Sequence, residues 1–421
     1  MNENDSEHIA GSLIASGMEP AISFEESDLI IVNTCAVRKK SEEKLHSLLG
    51  RFEPLKKKKK LIIGIVGCVA QLHRSKLWDA KPFIDFIIGP DNYWQIPEIL
   101  PTESRERVIS TLWSSEWKEI PFHHVYRDSQ VSASITIMEG CNNFCSYCVV
   151  PFTRGREKFR SLHRILAEAE NLASRGYKEI QLLGQNVNSY KDPKTGDNFS
   201  FLLKKINEFD GIEWIRFITS HPRNFTEEIA QTMMEAKKVC RQLHLPVQSG
   251  STSVLLRMNR AYTREEYLKK VAILRRLMPD IHLSTDIIVG FPEESLQEFQ
   301  ETLSLLKIVR FTNIFSFRYS PRPFTSAANK DDNIPFDEKK SRLIEVQALQ
   351  KKIQLETNSA LIGQTQKVLC LGMSKKDPRT YSGRNEGHQV VNFKSDQNAI
   401  NRFVRVKISS SGPYSLFGTA V

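Results

Sequence analysis

The sequence between residues 131 and 320 alternates strand-like and helix-like segments six times, which restricts the fold more than any other feature. The strand-like runs are SASITIMEG, EIQLLGQ, WIRFITS, RQLHLPVQ, IHLSTDIIVGF and TNIFSFRYS. Helical stretches such as SLHRILAEAENLASRG and TREEYLKKVAILRRLM separate them. Right-handed crossovers of such units curl into a barrel. Six units, not eight, predict a partial (β/α)6 barrel with an open side cleft that admits a bulky substrate.

A cysteine motif follows the first of these strands. The phrase GCNNFCSYCVVPFTRGRE contains Cys141, Cys145 and Cys148 in a Cys-x3-Cys-x2-Cys pattern. A structural zinc site uses four ligands, and a four-cysteine iron–sulfur site needs another cysteine nearby. Three thiolates on one loop instead predict a [4Fe–4S] cube with one open iron. Such an iron can chelate S-adenosylmethionine, whose carbon–sulfur bond then breaks on one-electron reduction.

The N-terminal region carries a different α/β pattern. The apolar runs are DLIIVNTC, which ends at Cys35, KLIIGIVGC, which ends at Cys68, and FIDFIIGPDN. The helical stretch SEEKLHSLLGRF separates the first two runs. Such runs predict buried parallel strands in a doubly wound sheet with helices on both faces. Ligands of such sheets bind at the carboxyl ends of strands, where both cysteines fall. Two shorter features of this region carry predictions of their own. The lysine run Lys56–Lys60 predicts a solvated loop. The polar residues Asn4, Asp5 and Ser6 predict a helix cap.

The C-terminal region is predicted to be a small all-β module. A long helical stretch, FDEKKSRLIEVQALQKKIQLETNSALIG, precedes short β runs that are broken by Gly, Asn and Ser. These runs predict a small β-barrel. The predicted organisation is an N-terminal domain over residues 1–115, a linker over 116–130, the partial barrel over 131–358 and the β-barrel over 359–421.

Charge is concentrated in this last module. The net charge of the chain is +10, and residues 359–421 hold 9 basic and 3 acidic residues. A small basic module indicates a polyanionic partner, most often nucleic acid, although a merely basic soluble surface is the alternative. No apolar run is long enough to span a bilayer, and the acidic first ten residues are unlike a signal peptide. We therefore expect a cytoplasmic protein without membrane association.

Four cysteines lie outside the three-cysteine motif. Cys240 and Cys370 have no partner at a metal-binding spacing, so we expect them to be structural. Cys35 and Cys68 both end strands, but two thiolates alone do not make a [4Fe–4S] site. From the residues alone, their metal role stays open.

The sequence resembles the radical S-adenosylmethionine superfamily, and within it the tRNA methylthiotransferases of the MiaB type. The matching phrases are NTCAVR, VGCVAQ, GCNNFCSYCVVPFTRGRE, LLGQNVNSY, HLPVQSGSTSVLLRMNRAYTREEYL, DIIVGFPEES and YSPRPFTSAA. The resemblance implies a flavodoxin-like domain, a partial barrel and a TRAM-like RNA-binding barrel. It also implies methylthiolation of carbon 2 of N6-isopentenyladenosine next to the tRNA anticodon. One S-adenosylmethionine would supply the methyl group and another the radical.

The resemblance further implies two [4Fe–4S] clusters, with Cys35 and Cys68 as ligands of the N-terminal one. It also implies an electron donor such as flavodoxin or ferredoxin, and a sulfur source; we expect a monomer. Three alternatives are methylthiolation of threonylcarbamoyl-adenosine, methylthiolation of a protein, and an RNA-binding protein whose N-terminal cluster is inactive. The intact cysteine motif disfavours the last, and the basic tail disfavours a basic protein substrate.

Further site residues are predicted at the strand ends and in the basic tail. For S-adenosylmethionine they are Gly184, Gln185, Asn186, Ser220, Gln248, Ser249, Ile288 and Gly290. For substrate, cofactor or tRNA phosphate they are Arg154, Arg156, Lys375, Lys376, Arg379, Arg384, Arg402 and Arg405. We expect one of Arg154 and Arg156 to touch substrate or cofactor, because a guanidinium suits phosphate or carboxylate. His221 and His244 are equally consistent with structural histidines.

The opening phrase MNENDSE carries one more expectation. In the methylthiotransferases this phrase follows a first strand that ends in a third cluster cysteine. We expect the full protein to begin upstream with such a strand. The chain as printed would then bind about four irons rather than eight, cleave S-adenosylmethionine and methylthiolate poorly.

Overall fold

The computed structural model describes residues 1–100 and 107–421. The described strands are β1 Leu29–Asn33, β2 Ile62–Val66, β3 Phe86–Ile88, β4 Val108–Ser110, β5 Ser132–Thr136, β6 Met138–Glu139, β7 Lys158–Phe159, β8 Glu179–Leu183, β9 Trp214–Phe217, β10 Gln242–His244, β11 His282–Val289, β12 Asn313–Arg318, β13 Thr365–Met373, β14 Tyr381–Asn385, β15 Val390–Lys394, β16 Phe403–Ser411 and β17 Ser415–Ala420. The described helices are α1 Asn2–Ala15, α2 Lys39–Lys58, α3 Cys68–His73, α4 Lys76–Ala80, α5 Ile96–Ile99, α6 Val150–Thr153, α7 Leu162–Ser174, α8 Phe199–Asn207, α9 Glu227–Glu235, α10 Thr252–Arg257, α11 Arg264–Leu277, α12 Leu296–Val309 and α13 Phe336–Ser359.

The chain forms two compact units that do not follow the order of the sequence. The first unit contains residues 1–128, 136–160 and 320–328, and the second contains residues 129–135, 161–319 and 329–421. The cysteine motif therefore belongs to the same unit as the N-terminal sheet. Among the described residues, no helix is both long and apolar enough to span a membrane.

The first unit is built on a parallel sheet with strand order β1-β2-β3-β4. One face carries Ile63 and Ile65, which pack against Leu45 and Leu49 of α2. The other face carries Val66, Phe86 and Ile88 together with apolar residues of α1 and α5. Strand side chains alternate between the two faces, so apolar runs with helices on both sides produce two buried layers. The predicted α/β sheet is confirmed.

Two local predictions for this unit were wrong, and one strand was missed. Asn4, Asp5 and Ser6 lie inside α1 rather than capping it, because the helix already begins at Asn2. Lys56 and Lys57 belong to the last turn of α2 rather than to a loop. Lysine is a good helix former, and cations stabilise the negative end of the helix dipole. The three-residue strand β4 was missed because it is too short to produce a periodic pattern.

The second unit contains the six predicted parallel strands of the partial barrel. They form two three-stranded sheets, β5-β8-β9 and β10-β11-β12. A parallel bridge between Ile215 and Val239 connects β9 to the segment before β10. The helices α7, α8, α9, α11 and α12 fall between successive strands. This arrangement confirms the predicted barrel of six β/α units.

A closed five-stranded barrel, β13-β14-β15-β17-β16, completes the second unit. Its core contains Val368, Cys370, Val391 and Phe393, each at most 1% exposed. The predicted small β-barrel is therefore confirmed, and Cys370 fills its core as expected for a structural cysteine.

Arg216 of β9 joins this small barrel to the partial barrel. Its guanidinium is buried and donates from Nε to Glu179 Oε2 of β8 at 2.5 Å. It also donates to the carbonyls of Asn385 and Glu386 at 2.9 and 2.6 Å. Trp214 of β9 packs edge-on against Phe403 at 4.7 Å between ring centroids. Polar and apolar contacts thus fix the turn after β14 on the strands of the partial barrel.

Candidate active site

The loop from Gly140 to Cys148 holds the three cysteines of the motif. The amide of Cys141 donates to Gly155 O at 3.1 Å, and that of Cys148 donates to Cys145 O at 2.9 Å. Gly140 has a φ of 78°, and a Cβ there would lie 2.0 Å from the carbonyl oxygen of Arg156. Only glycine fits so close to this carbonyl, so the backbone at Gly140 can pack directly against the backbone of Arg156 at the start of the cysteine loop.

The donor set of the loop fits an iron–sulfur cluster. A [4Fe–4S] cube binds each of its thiolate ligands to a separate iron, and the loop supplies three cysteine thiols. Across residues 1–100 and 107–421, no three His, Cys, Asp or Glu side chains are grouped as ligands of one metal ion. Burial raises the pKa of the Cys141 thiol, and Asn143 Nδ2 lies 3.5 Å from Cys141 Sγ. Metal binding would release the thiol protons.

Cys35 and Cys68 come together at the carboxyl ends of two adjacent strands. Strand β1 ends just before Thr34, whose amide donates to Val66 O at 3.1 Å. The carbonyl of Thr34 accepts from the amide of Val69 at 3.2 Å. Cys35 Sγ accepts from the Val37 amide at 3.4 Å, and burial raises the pKa of the Cys35 thiol. Two strands of one sheet thus bring cysteines 33 positions apart in sequence into one neighbourhood.

Arg154 follows the cysteine motif along the chain and contacts Cys68. Its guanidinium is buried, and Nε donates to Cys68 Sγ at 3.3 Å. It forms ion pairs with Asp5 of α1 and with Glu139 of β6, the latter at 3.6 Å. The helix α6, which follows Cys148, packs against α3, which begins at Cys68. That one of Arg154 and Arg156 touches substrate or cofactor stays a prediction.

A chain of buried charges extends from Arg154. Lys158 Nζ lies 2.5 Å from Asp91 Oδ1 and 4.0 Å from Glu139 Oε2. Burial raises the pKa of Glu139 to about 7. The sequence pattern did not single out Asp91 or Glu139 and indicated only a helix cap at Asp5, because the roles of these residues depend on contacts between distant segments.

Arg322 supports the Cys35 loop from another distant segment. It lies in the phrase YSPRPFTSAA, and its Nη2 donates to Ala36 O at 2.7 Å. It also forms an ion pair with Glu42 of α2. Glu42 in turn lies 3.6 Å from Nε2 of His73, at the end of the helix that begins at Cys68. Arg322 was not predicted as a site residue, because the phrase that contains it contributes only to the family resemblance.

The residues predicted to bind S-adenosylmethionine lie at strand ends of the second unit. Gly184, Gln185 and Asn186 follow β8, Ser220 follows β9, Gln248 and Ser249 follow β10, and Ile288 and Gly290 lie at the end of β11. Thr219 and Gln248 have φ angles of 70° and 78°, which non-glycine residues rarely adopt. Such strain clusters at functional sites. Ser220 Oγ is buried without a hydrogen-bond partner in the described part of the chain, which fits a polar ligand.

Two of these residues also have structural roles. Ser249 Oγ lies 3.3 Å from Thr302 Oγ1, a contact with α12. The amide of Gly290 donates to Glu294 Oε2 at 2.7 Å, and a Cβ on Gly290 would lie 2.4 Å from Lys339 Cγ. His221 is buried, and its Nδ1 accepts from the Arg223 amide at 3.1 Å. This contact favours a structural role for that histidine.

The predicted RNA-binding residues differ in exposure. Lys375, Lys376, Arg379, Arg402 and Arg405 are exposed on the small barrel, and Arg156 is exposed in the first unit. Arg384 is half-buried and donates to His388 O at 3.1 Å. The guanidinium of Arg156 lies 4.3 Å above the ring of Phe144 in the cysteine loop.

Comparison with known proteins identifies the family. The radical SAM superfamily matches residues 135–306, the TRAM domain matches residues 360–421, and the uncharacterized protein family UPF0004 matches residues 1–89. A tRNA-2-methylthio-N(6)-dimethylallyladenosine synthase of Geobacter metallireducens is 43% identical over 99% of this chain and 95% of its own. The chain belongs to the tRNA-2-methylthio-N(6)-dimethylallyladenosine synthase family. A second synthase of this family, from Thermodesulfovibrio yellowstonii, is 44% identical over 100% of this chain and 96% of its own.

A solved structure also shares the fold. The radical S-adenosylmethionine methyltransferase TsrM of Kitasatospora setae, with cobalamin and a [4Fe-4S] cluster bound, aligns with a TM-score of 0.55. The alignment covers 77% of this chain and 70% of TsrM at 16% identity, so it supports the fold alone. Membership of the synthase family confirms the resemblance drawn from the motifs, and with it a radical S-adenosylmethionine enzyme that uses iron–sulfur chemistry.

Proposed function

We propose that this protein adds a methylthio group to carbon 2 of N6-isopentenyladenosine adjacent to the anticodon of tRNA. The observation that carries the proposal is the loop of Cys141, Cys145 and Cys148 in a chain that matches the synthases along its full length. The TRAM match over the basic C-terminal barrel supports tRNA as the substrate.

In this proposal the cysteines hold two iron–sulfur groups. Cys141, Cys145 and Cys148 hold the radical cluster, and Cys35 and Cys68 are the ligands that this chain supplies to the N-terminal cluster. When bound, the radical cluster supplies an electron that cleaves S-adenosylmethionine. The predicted residues at the ends of strands β8, β9, β10 and β11 bind and orient S-adenosylmethionine.

The remaining residues act on the substrate. The exposed cations of the small barrel hold tRNA phosphates and thereby fix the position of the base. Arg156 contacts substrate, whereas buried Arg154 acts on the cofactor side. The proposal includes a cytoplasmic monomer, an electron donor such as flavodoxin or ferredoxin, a separate sulfur source, and domain boundaries at 1–115, 116–130, 131–358 and 359–421.

Anaerobic reconstitution tests the radical site directly. We expect the reconstituted protein with dithionite to cleave S-adenosylmethionine, and Cys141→Ala to abolish cleavage and lower the iron content by about four per chain. Cys240→Ala is the matched control, because Cys240 is a buried cysteine outside the motif, and it should retain both. A reconstituted wild-type protein that never cleaves S-adenosylmethionine would contradict the enzyme assignment.

Nucleoside analysis of tRNA tests the substrate. A strain without this gene should lose methylthio-isopentenyladenosine and regain it when the wild-type gene, but not the Cys141→Ala gene, is returned. Loss of the methylthio derivative of threonylcarbamoyl-adenosine instead would favour the alternative nucleoside. If neither modification changes, the proposed tRNA substrate is wrong.

A further inference from the structure

Two phenylalanine rings are exposed next to each other in the first compact unit. Phe152 of α6 and Phe324 have exposed fractions of 37% and 66%, and their ring centroids lie 6.0 Å apart at an interplanar angle of 35°. Single exposed apolar side chains are ordinary on a protein surface and need no explanation. Two exposed rings within contact distance instead form a small apolar surface, which we call the Phe152–Phe324 pair.

Phe324 is held in a backbone conformation that a bulky side chain disfavours. Residues 322–325 form a turn, in which the amide of Thr325 donates to the carbonyl of Arg322 at 3.3 Å. Pro323 is the second residue of the turn, and Phe324, the third, has a φ of 67°. A turn with a positive φ at its third residue normally has glycine or asparagine there. The strain at Phe324 supports an exposed ring rather than a core contact, and such strain clusters at functional sites.

The turn and α6 are both attached to the cysteine loop. The amide of Ala327, which follows the turn, donates at 2.8 Å to the carbonyl of Ser146, a residue between Cys145 and Cys148. Helix α6 begins at Val150, two residues after Cys148. The Phe152–Phe324 pair is therefore continuous with the loop that holds the radical cluster in the proposed function.

The charged residues that neighbour the two rings along the chain are buried. Arg154 and Arg322 have exposed side-chain fractions of 3% and 6%, and they form ion pairs with Asp5 and Glu42. Neither guanidinium is thus exposed beside the rings, so the surface that the pair presents is apolar.

We propose that Phe152 and Phe324 bind the isopentenyl group of the substrate nucleoside and thereby select it. The inference rests on the proposed function and deepens it. The reacting carbon 2 and the N6 substituent belong to one purine, so a base that reacts at the cysteine loop brings its isopentenyl group there as well. This group is a neutral hydrocarbon, and its transfer from water to apolar rings is favourable. The threonylcarbamoyl group carries a carboxylate, whose desolvation on such a surface is costly.

Binding of tRNA anticodon stem-loops to the reconstituted full chain tests this inference. Three stem-loops differ only in the nucleoside next to the anticodon, which is adenosine, isopentenyladenosine or threonylcarbamoyl-adenosine. Fluorescence anisotropy gives their dissociation constants for Phe324→Asn, Phe324→Leu and Phe152→Ala. Asparagine tolerates a positive φ, so Phe324→Asn removes the ring without adding strain. Phe24→Ala is the matched control, because Phe24 is 42% exposed in the same unit and packs against Phe52 of α2 at 5.0 Å between ring centroids.

We expect the wild-type protein to bind the isopentenyladenosine stem-loop about ten times more tightly than the adenosine stem-loop. Phe324→Asn and Phe152→Ala should lose most of this preference, Phe324→Leu should keep part of it, and Phe24→Ala should keep all of it. Phe324→Asn should also unfold at the same urea concentration as wild type or at a higher one, whereas loss of a residue kept for stability would lower that concentration. Phe152→Ala decides the question if Phe324→Asn does not fold.

Two results would overturn this inference alone. One is a preference for isopentenyladenosine that persists in Phe324→Asn and Phe152→Ala, and the other is equal binding of the three stem-loops by the wild-type protein. Tighter binding of the threonylcarbamoyl-adenosine stem-loop by the wild-type protein would overturn the isopentenyl substrate of the proposed function, and this inference with it.

Discussion

Buried ionisable residues of the second unit make its stability depend on pH. Burial lowers the pKa of His221 to about 2 and that of His388 to about 3. Both imidazoles are therefore neutral in the folded protein at pH 5, whereas an unfolded histidine with a pKa near 6.5 is mostly protonated there. The unfolded state binds more protons below this value, so stability decreases as the pH falls from about 6.5 towards the folded pKa values.

His388→Asn tests this dependence at one residue. His388 has a φ of 63°, a left-handed conformation that asparagine tolerates. Wild-type protein should lose stability between pH 7 and pH 5, and we expect the loss to be smaller in His388→Asn by about 1 kcal/mol, after allowance for the partial exposure of the ring. Urea unfolding at both pH values measures the difference. Equal losses of stability in the two proteins would mean that the pKa of His388 is not lowered by folding, so that His388 is protonated in the folded protein at pH 5.

At the scale of secondary-structure elements, one ion pair joins two strands of the partial barrel to a turn of the small barrel. Arg216 of β9 and Glu179 of β8 are almost fully buried, with exposed side-chain fractions of 1% and 10%. Removing one partner of such a pair leaves the other charge buried without compensation, which is far more costly than losing a surface pair.

Arg216→Met is expected to lower the free energy of unfolding by about 3–5 kcal/mol. The double variant Arg216→Met/Glu179→Met removes both charges and should recover most of this loss. Arg276→Met on the exposed surface should change stability by less than about 1 kcal/mol. Urea or thermal unfolding gives all three values. If the double variant is no more stable than Arg216→Met, the two carbonyl contacts of Arg216 matter more than its ion pair.

At the scale of the whole molecule, positive charge is concentrated in the C-terminal barrel, so we propose this barrel as the main surface for binding a polyanion. The barrel residues hold 9 of the 59 basic residues but only 3 of the 49 acidic ones. Arg402 and Arg405 lie at the start of β16 and are exposed. Contacts between cations and phosphates release counterions, so each contact steepens the decrease of affinity with salt.

Replacing Arg402 and Arg405 by Gln should weaken tRNA binding and reduce the slope of log affinity against log salt by about 2. Arg310→Gln is the control, because Arg310 is exposed at the end of α12 and pairs with Glu356 at 2.8 Å. It should keep the wild-type slope. Filter binding or fluorescence anisotropy across a salt series measures both, and an unchanged slope in the double variant would place the phosphate contacts elsewhere.

The fold could be predicted from the sequence to the extent that it depends on local pattern. Six strand–helix repeats specified the partial barrel, apolar runs specified the N-terminal sheet, and short runs broken by turn residues specified the small barrel. The errors were also local: α2 extends to Lys58 through lysines that favour a helix C-terminus, and β4 has only three residues.

The sequence by itself determined the chemistry of the thiols, because the spacing of Cys141, Cys145 and Cys148 on one loop is a property of the chain alone. Only the tertiary structure decided what surrounds them. Residues 136–160 and 320–328 join the N-terminal residues in one compact unit, which places Arg154 on Cys68 and Arg322 beside Cys35. Contacts across such sequence separations leave no periodic signal, because they depend on how the strands and loops fold together rather than on neighbouring residues.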